Sequence, residues 1–414
     1  MPAREVELRR MPYPYLAMLA ICSDLDNTPD WRVYWEIMRF LNTTQTTTLG
    51  PGVGLEVGNS VYFDMPPDEF AYGNTDDRGR AMVQALIRSG HIDCLHSYGD
   101  LATSRRHAGA ALDELARHDC HIEVWIDHRV APTNFGADIM RGVGDVPGDQ
   151  AYHADLTCGF GVQYVWRGRV TSVIGQDVPR RLSGVLSGRH PLGSARTLAK
   201  EAAKGVLARL GHTKYAMHGP NAVLRRTQLR DGRPVYEFLR CNPHWGGVEH
   251  LDTAAGLART LTPGVLDRLV AREGVCVFYT HLGKGTPRGE LFDPETRAAF
   301  RRLADRFRTG ELLVTTTRRL LGYHRAAREV SFDVQNGADQ LRIDVRTRGG
   351  GNGDSVRPLA SSDLSGLTFY VPDPERTTVT VDGHEAPDLR RNHADHTGRR
   401  SVSLPWPALE FPSL

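Results

Sequence analysis

Between residues 17 and 316 the chain switches repeatedly between short apolar runs of strand length and stretches whose apolar residues recur at helical spacing. Few folds tolerate that pattern. Each strand must be followed by a helix that packs back on the sheet, which gives an α/β domain with a parallel sheet or barrel. The first run, Ala17-Met18-Leu19-Ala20-Ile21-Cys22, ends in Ser23-Asp24-Leu25-Asp26-Asn27-Thr28. Further strands are predicted at 91–96, 121–127, 161–166, 236–241, 275–280 and 312–316. Helical spacing marks 31–41, through Trp31, Tyr34, Trp35, Met38 and Leu41, and also 79–89, 104–118, 194–210 and 294–308. One or two helices are expected within 251–272. The polar stretch 42–80 reads as an insertion or active-site loop with a hairpin around 55–63, and the Gly- and Arg-rich stretch 170–235 resists ordering.

From about residue 328 the period changes to two. Runs at 330–334, 341–345, 367–371 and 377–381 alternate apolar and polar residues, with Gly- and Asp-rich turns between them and a flexible loop at 349–354. The expected division is an α/β domain, with a parallel sheet or barrel, over residues 1–325 and a small all-β, sandwich-like domain over 326–414.

Composition narrows the class further. With 40% hydrophobic and 24% charged residues, the chain can bury a sizeable core. A net charge of +2 and the lack of a Lys/Arg run give no case for nucleic acid. No apolar stretch nears the roughly 20 residues of a membrane span, and no signal peptide is recognised, so no membrane partner and a cytoplasmic location are expected. The six cysteines contain no Cys-x-x-Cys pair and read as reduced, buried thiols.

The polar clusters Asp24/Asp26, His96/Asp100, His128/Arg129 and His281 each fall just after a predicted strand, and His153/Asp155 lies between strands. Strand ends meet at one face of a barrel or doubly wound sheet, so these groups are expected to share one mouth. Two carboxylates in one small volume repel unless a cation or a shared proton intervenes. Carboxylate and neutral imidazole together suit zinc or a similar divalent ion. A competing role for Asp24 and Asp26 is to cap the helix that begins near Pro29-Asp30-Trp31.

The order of these motifs resembles the polysaccharide deacetylases of the NodB-homology type, metal-dependent amide hydrolases on a distorted (β/α) barrel. The likeness runs over about residues 15–323. Ser23-Asp24-Leu25-Asp26 stands at the family's opening motif, which implies Asp24 as general base and Asp26 as metal ligand. His96-Ser97-Tyr98-Gly99-Asp100 stands at the His-Ser/Thr motif, with Asp100 where the family has its second ligand histidine. Arg129-Val130-Ala131-Pro132 loosely matches the arginine motif, which implies Arg129 as the cation that holds Asp24 ionised. The strand 275–280 ending at His281 matches the last motif, which implies His281 as general acid. The implied divalent metal, zinc by its donor types, would be held by Asp26, His96 and Asp100. His128, His153 and Asn134 are further candidates for that shell. The implied activity is removal of an N-acetyl or similar acyl group from a sugar or glycan.

Two other readings stand beside it. Asp24-Leu25-Asp26-Asn27-Thr28 also resembles the first motif of the haloacid dehalogenase-type phosphatases, and Gly144-Asp145-Val146-Pro147-Gly148-Asp149 mimics their magnesium motif. That family's lysine is missing, since no lysine precedes Lys200. The third reading is a carbohydrate-binding protein without catalysis.

Overall fold

A computed structural model describes residues 6–185, 191–243, 251–284, 290–337, 340–347, 356–386 and 388–414. The loop expected at 349–354 lies outside the described residues. Among the described residues, nine strands form the main sheet: β1 (Ala17–Ser23), β2 (Gly58–Val61), β3 (Ile92–His96), β4 (Val124–Ile126), β5 (Tyr164–Trp166), β6 (Leu224–Gln228), β7 (Pro234–Phe238), β8 (Val275–Thr280) and β9 (Leu312–Thr315). Strands β1 to β5 lie side by side in chain order and parallel, β7 continues beside β5, and β6 is an antiparallel edge. Sequential parallel order is barrel-type winding, and here the sheet curls into a half-barrel.

Strand β1 is its axis. One edge pairs with β8 over Met18–Ser23, while β9 pairs with Ala17–Ala20 and β2 only with Cys22 and Ser23. Every residue of β1 is buried, as parallel strands covered on both faces must be. Ala17, Leu19 and Ile21 pack into an outer layer with helices Trp31–Asn42, Ala254–Thr260, Pro263–Ala271 and Pro294–Arg308. Met18, Ala20 and Cys22 face the concave side, with Leu320, Leu321 and Tyr323 of helix Thr317–Glu329 in the same apolar cluster.

The expected hairpin around 55–63 does not form. Gly58–Val61 is instead a parallel strand of the main sheet, because every residue of it is buried between β1 and β3. Helix Thr317–Glu329 has no counterpart in the sequence reading, and the division at 325/326 falls inside it. After it, Ser331–Asn336, Leu341–Arg346, Thr377–Val381 and His384–Glu385 make one four-stranded sheet. A second contains Thr368–Tyr370, Arg390–Asn392, Ser401–Ser403 and, from the other end of the chain, Glu7–Leu8. Ile343, Val345, Phe369 and Val402 from these sheets belong to the same apolar cluster as the concave face of the main sheet. Of the cysteines, all are free thiols and only Cys158 is not buried. No helix among the described residues is long and apolar enough to cross a membrane.

Candidate acid–base site

The helix that follows β1 is capped by Asp30, whose carboxylate accepts from the Arg32 and Val33 amides at 2.8 and 2.9 Å. Asp24 and Asp26 are therefore free of that duty, and both are buried. Parallel pairing brings the end of β8 beside the end of β1. The Asp24 amide donates to Thr280 O at 2.9 Å and the Leu282 amide to Ser23 Oγ at 2.9 Å. His281 is thereby set against the Asp-x-Asp turn. Its Nε2 lies 3.4 Å from Asp26 Oδ1 and 3.8 Å from Asp24 Oδ2. Those two carboxylate oxygens are buried and have no hydrogen-bond partner. A buried polar atom without a partner marks a place where a water, an ion or a substrate group can sit.

Each other atom of the group is held. Ser60 of β2 donates a short hydrogen bond to Asp24 Oδ1, and His96 Nδ1 lies 3.3 Å from the same oxygen. Tyr62 stacks on the His96 ring at 4.3 Å, with its hydroxyl 3.4 Å from Nε2. His281 Nδ1 faces Asp252 Oδ1 at 2.8 Å, and Asp252 is in turn paired with Lys284 at 2.5 Å. A carboxylate at Nδ1 fixes the proton there and aims Nε2 at the turn.

The electrostatics separate the groups. Burial alone would raise the Asp24 carboxyl, but His96, His281 and Arg240 outweigh it and hold Asp24 well below the usual carboxylate range. Burial raises Asp26, and the nearby Asp24 charge adds to that. Burial pulls His281 down, yet the bond to Asp252 and the Asp24 and Asp26 charges carry it above an ordinary histidine. Burial lowers His96, and it lowers His128 to about 4. Environments that push neighbouring groups apart in this way sort them into base and acid.

The structure unites Asp24, Asp26, His96, His128 and His281 at the carboxyl ends of β1, β3, β4 and β8. Asp100 sits otherwise than expected. A helix after His96 would have put the two side chains on one face. Instead the chain turns through left-handed Ser97 (φ 49°) and Tyr98 (φ 63°), and Asp100 meets His128 Nδ1 at 2.8 Å. Arg129 lies on an exposed lip, 3.5 Å from Asp100. The cation beside Asp24 is Arg240, buried between the rings of Trp166 and Tyr279 at 4.1 and 4.7 Å. His153 is no reserve ligand: its nitrogens meet Thr157 Oγ1 and Thr133 O, both at 2.8 Å, inside a wall of Trp125, Phe135 and Tyr98. Asn134 clips the loop, accepting from the His128 amide and donating to its carbonyl.

These placements bear on a metal. His96 Nδ1 faces Asp24, its Nε2 faces Tyr62, and Asp100 is turned to His128. Among the described residues no three His, Cys, Asp or Glu side chains form a metal-sized group. Sequence reasoning missed Ser60, Tyr62, Arg240, Asp252 and Tyr279. Ser60 and Tyr62 lay in the stretch read as a hairpin, and Asp252 comes from a loop with no motif. A comparison of the chain with protein-family models and with curated proteins finds no match.

Proposed function

We propose that this protein is a hydrolase that removes an N-acetyl or similar acyl group from a sugar or glycan, on a barrel of the NodB-homology type. One observation carries the reading: His281 Nε2 stands opposite two buried, unpartnered carboxylate oxygens, one of which belongs to a carboxylate kept ionised. Amide hydrolysis needs that combination, a base to take a proton from water and an acid to give one to the leaving amine. Asp24 Oδ2 takes the water's proton, while Ser60 and His96 fix Oδ1. His281, held by Asp252, protonates the departing nitrogen from Nε2. Asp26, whose affinity for a proton burial raises, sits beside both. Each step named here belongs to these side chains.

The phosphatase reading loses its second motif, since Asp145 is fully buried and held by Arg230, which donates from its amide at 2.9 Å and from Nε at 2.8 Å. Acetate release from N-acetylglucosamine oligomers tests the proposal. Asp24→Asn and His281→Gln should each lower kcat by about a hundredfold to ten-thousandfold with the fold unchanged by circular dichroism. Turnover untouched by either change would overturn the assignment. Loss of all activity on chelation, restored by zinc, would return Asp26 and His96 to the metal role that the sequence resemblance implies.

A further inference from the structure

Helix Pro191–Arg209 is inverted. Its buried residues are all polar or small: Ser194, Thr197, Glu201 and Gly205. The outward stripe is apolar. Leu192, Ala195, Ala199, Ala203, Val206 and, one residue past the helix, Leu210 are all exposed and follow a period of 3.6 residues. Leu192 is 87% exposed, Val206 54% and Leu210 71%, the largest run of exposed apolar side chains on any one element among the described residues.

The helix cannot roll to hide that stripe, because its polar side is clamped. Glu201 accepts from Thr171 Oγ1 at 3.0 Å and from the Ser172 amide at 3.2 Å, and pairs with Lys204 at 2.7 Å and Arg180 at 3.3 Å. Gly205 leaves room for the Arg180 guanidinium; a Cβ there would stand 2.1 Å from Nη1.

Charge identifies what covers the stripe. Residues 178–214 hold eight Lys and Arg and a single acid, Glu201, in a chain whose net charge is +2. Arg196, Lys200 and Arg209 flank the stripe and are exposed. A second copy would set these cations against each other with no exposed acid in the helix to relieve them. An apolar stripe edged by basic residues instead suits an anionic bilayer, into which the apolar side chains dip while the cations meet headgroups.

We infer that this helix docks the protein on anionic membrane surfaces. The inference is independent of the acid–base site. Sedimentation of the full chain with extruded vesicles tests it. The protein should partition onto vesicles containing phosphatidylglycerol, and at least tenfold less onto pure phosphatidylcholine. Raising the salt to ~0.5 M should release it, because screening at that strength removes most of the headgroup attraction. The triple change Leu192→Gln, Val206→Gln, Leu210→Gln should reduce partition about tenfold with an unchanged melting temperature, and so should Arg196→Ala, Lys200→Ala, Arg209→Ala. Equal binding to both vesicle types, or binding that neither triple variant weakens, overturns the inference. So does a concentration-dependent dimer that the first triple variant abolishes in a protein that ignores vesicles.

Discussion

Asp252 acts on the proposed chemistry only through His281. Its carboxylate meets Nδ1 at 2.8 Å and raises the imidazole's affinity for a proton, so His281 keeps its proton to higher pH than a free histidine. Activity that needs protonated His281 falls as pH rises through that group's pKa. Asp252→Asn removes one of the charges that raise it, so the high-pH limb of kcat/KM should move down by about one pH unit, with kcat lowered about tenfold. A pH profile that keeps its high-pH limb in the variant would show that Asp252 does not tune His281. Neither this residue nor Arg240 was legible beforehand. Both owe their positions to loops and strand ends that meet only after the sheet curls, and neither stands in a motif. Asp24, Asp26, His96, His128 and His281 were legible, because each is the polar end of an apolar run and parallel strands carry such ends to one face.

Elements were legible where period and burial agree. The strands at β1, β3 and β8 and the helices Asp77–Arg88, Arg105–Arg117 and Pro294–Arg308 follow one-sided or fully apolar patterns, with Asp76 and Asp293 as caps. Gly58–Val61 was hidden because Gly, Asn and Ser carry no strand signal, though the strand is fully buried. Helix Thr317–Glu329 was hidden by its arginines. Arg318 pairs with Asp363 and Glu123, Arg319 with Glu56, and Arg325 donates to Gln163, so these charges are held by partners distant in sequence. The turn after β3 lies between the predicted strand 91–96 and the predicted helix 104–118, where neither period applies. That turn depends on Gly99 (φ 105°), where a Cβ would stand 2.3 Å from the Asp64 carbonyl oxygen. Gly99→Ala should therefore cost about 1–3 kcal/mol and displace Asp100 from His128. A thermal melt checks the first effect; an unchanged melting temperature would mean the turn can relax without strain.

At the scale of the whole molecule, burial of neutral imidazoles sets how the protein meets acid. His91, His128, His153 and His218 are all buried, and burial lowers each to about 4. In the unfolded chain each binds a proton near pH 6.5, while in the folded protein each stays neutral down to about 4. Their stabilisation is thus complete above pH 6.5 and is lost as pH falls from 6.5 toward 4, at a limit of about 1.4 kcal/mol per pH unit for each. Asp177, held at about 2 mainly by His324 and Arg328 against the pull of burial, adds loss of the same sign below pH 4. Asp93 and Asp127 oppose it. Burial raises them to about 6 and about 7, so their contribution grows as the pH falls. His96, also lowered, adds to the loss, while Asp26 and His281, both raised, oppose it; five groups against four leave a net loss, and it falls in a window where exposed carboxylates are still ionised. Melting temperature should hold between pH 8 and 7 and drop steeply between pH 6 and 4.5. His153→Gln should flatten that drop while lowering stability at pH 7, since glutamine cannot fill the aromatic wall of Trp125, Phe135 and Tyr98. Melts followed by circular dichroism across pH 4.5 to 8 decide it: a melting temperature that rises on acidification would mean that Asp93 and Asp127 outweigh the histidines.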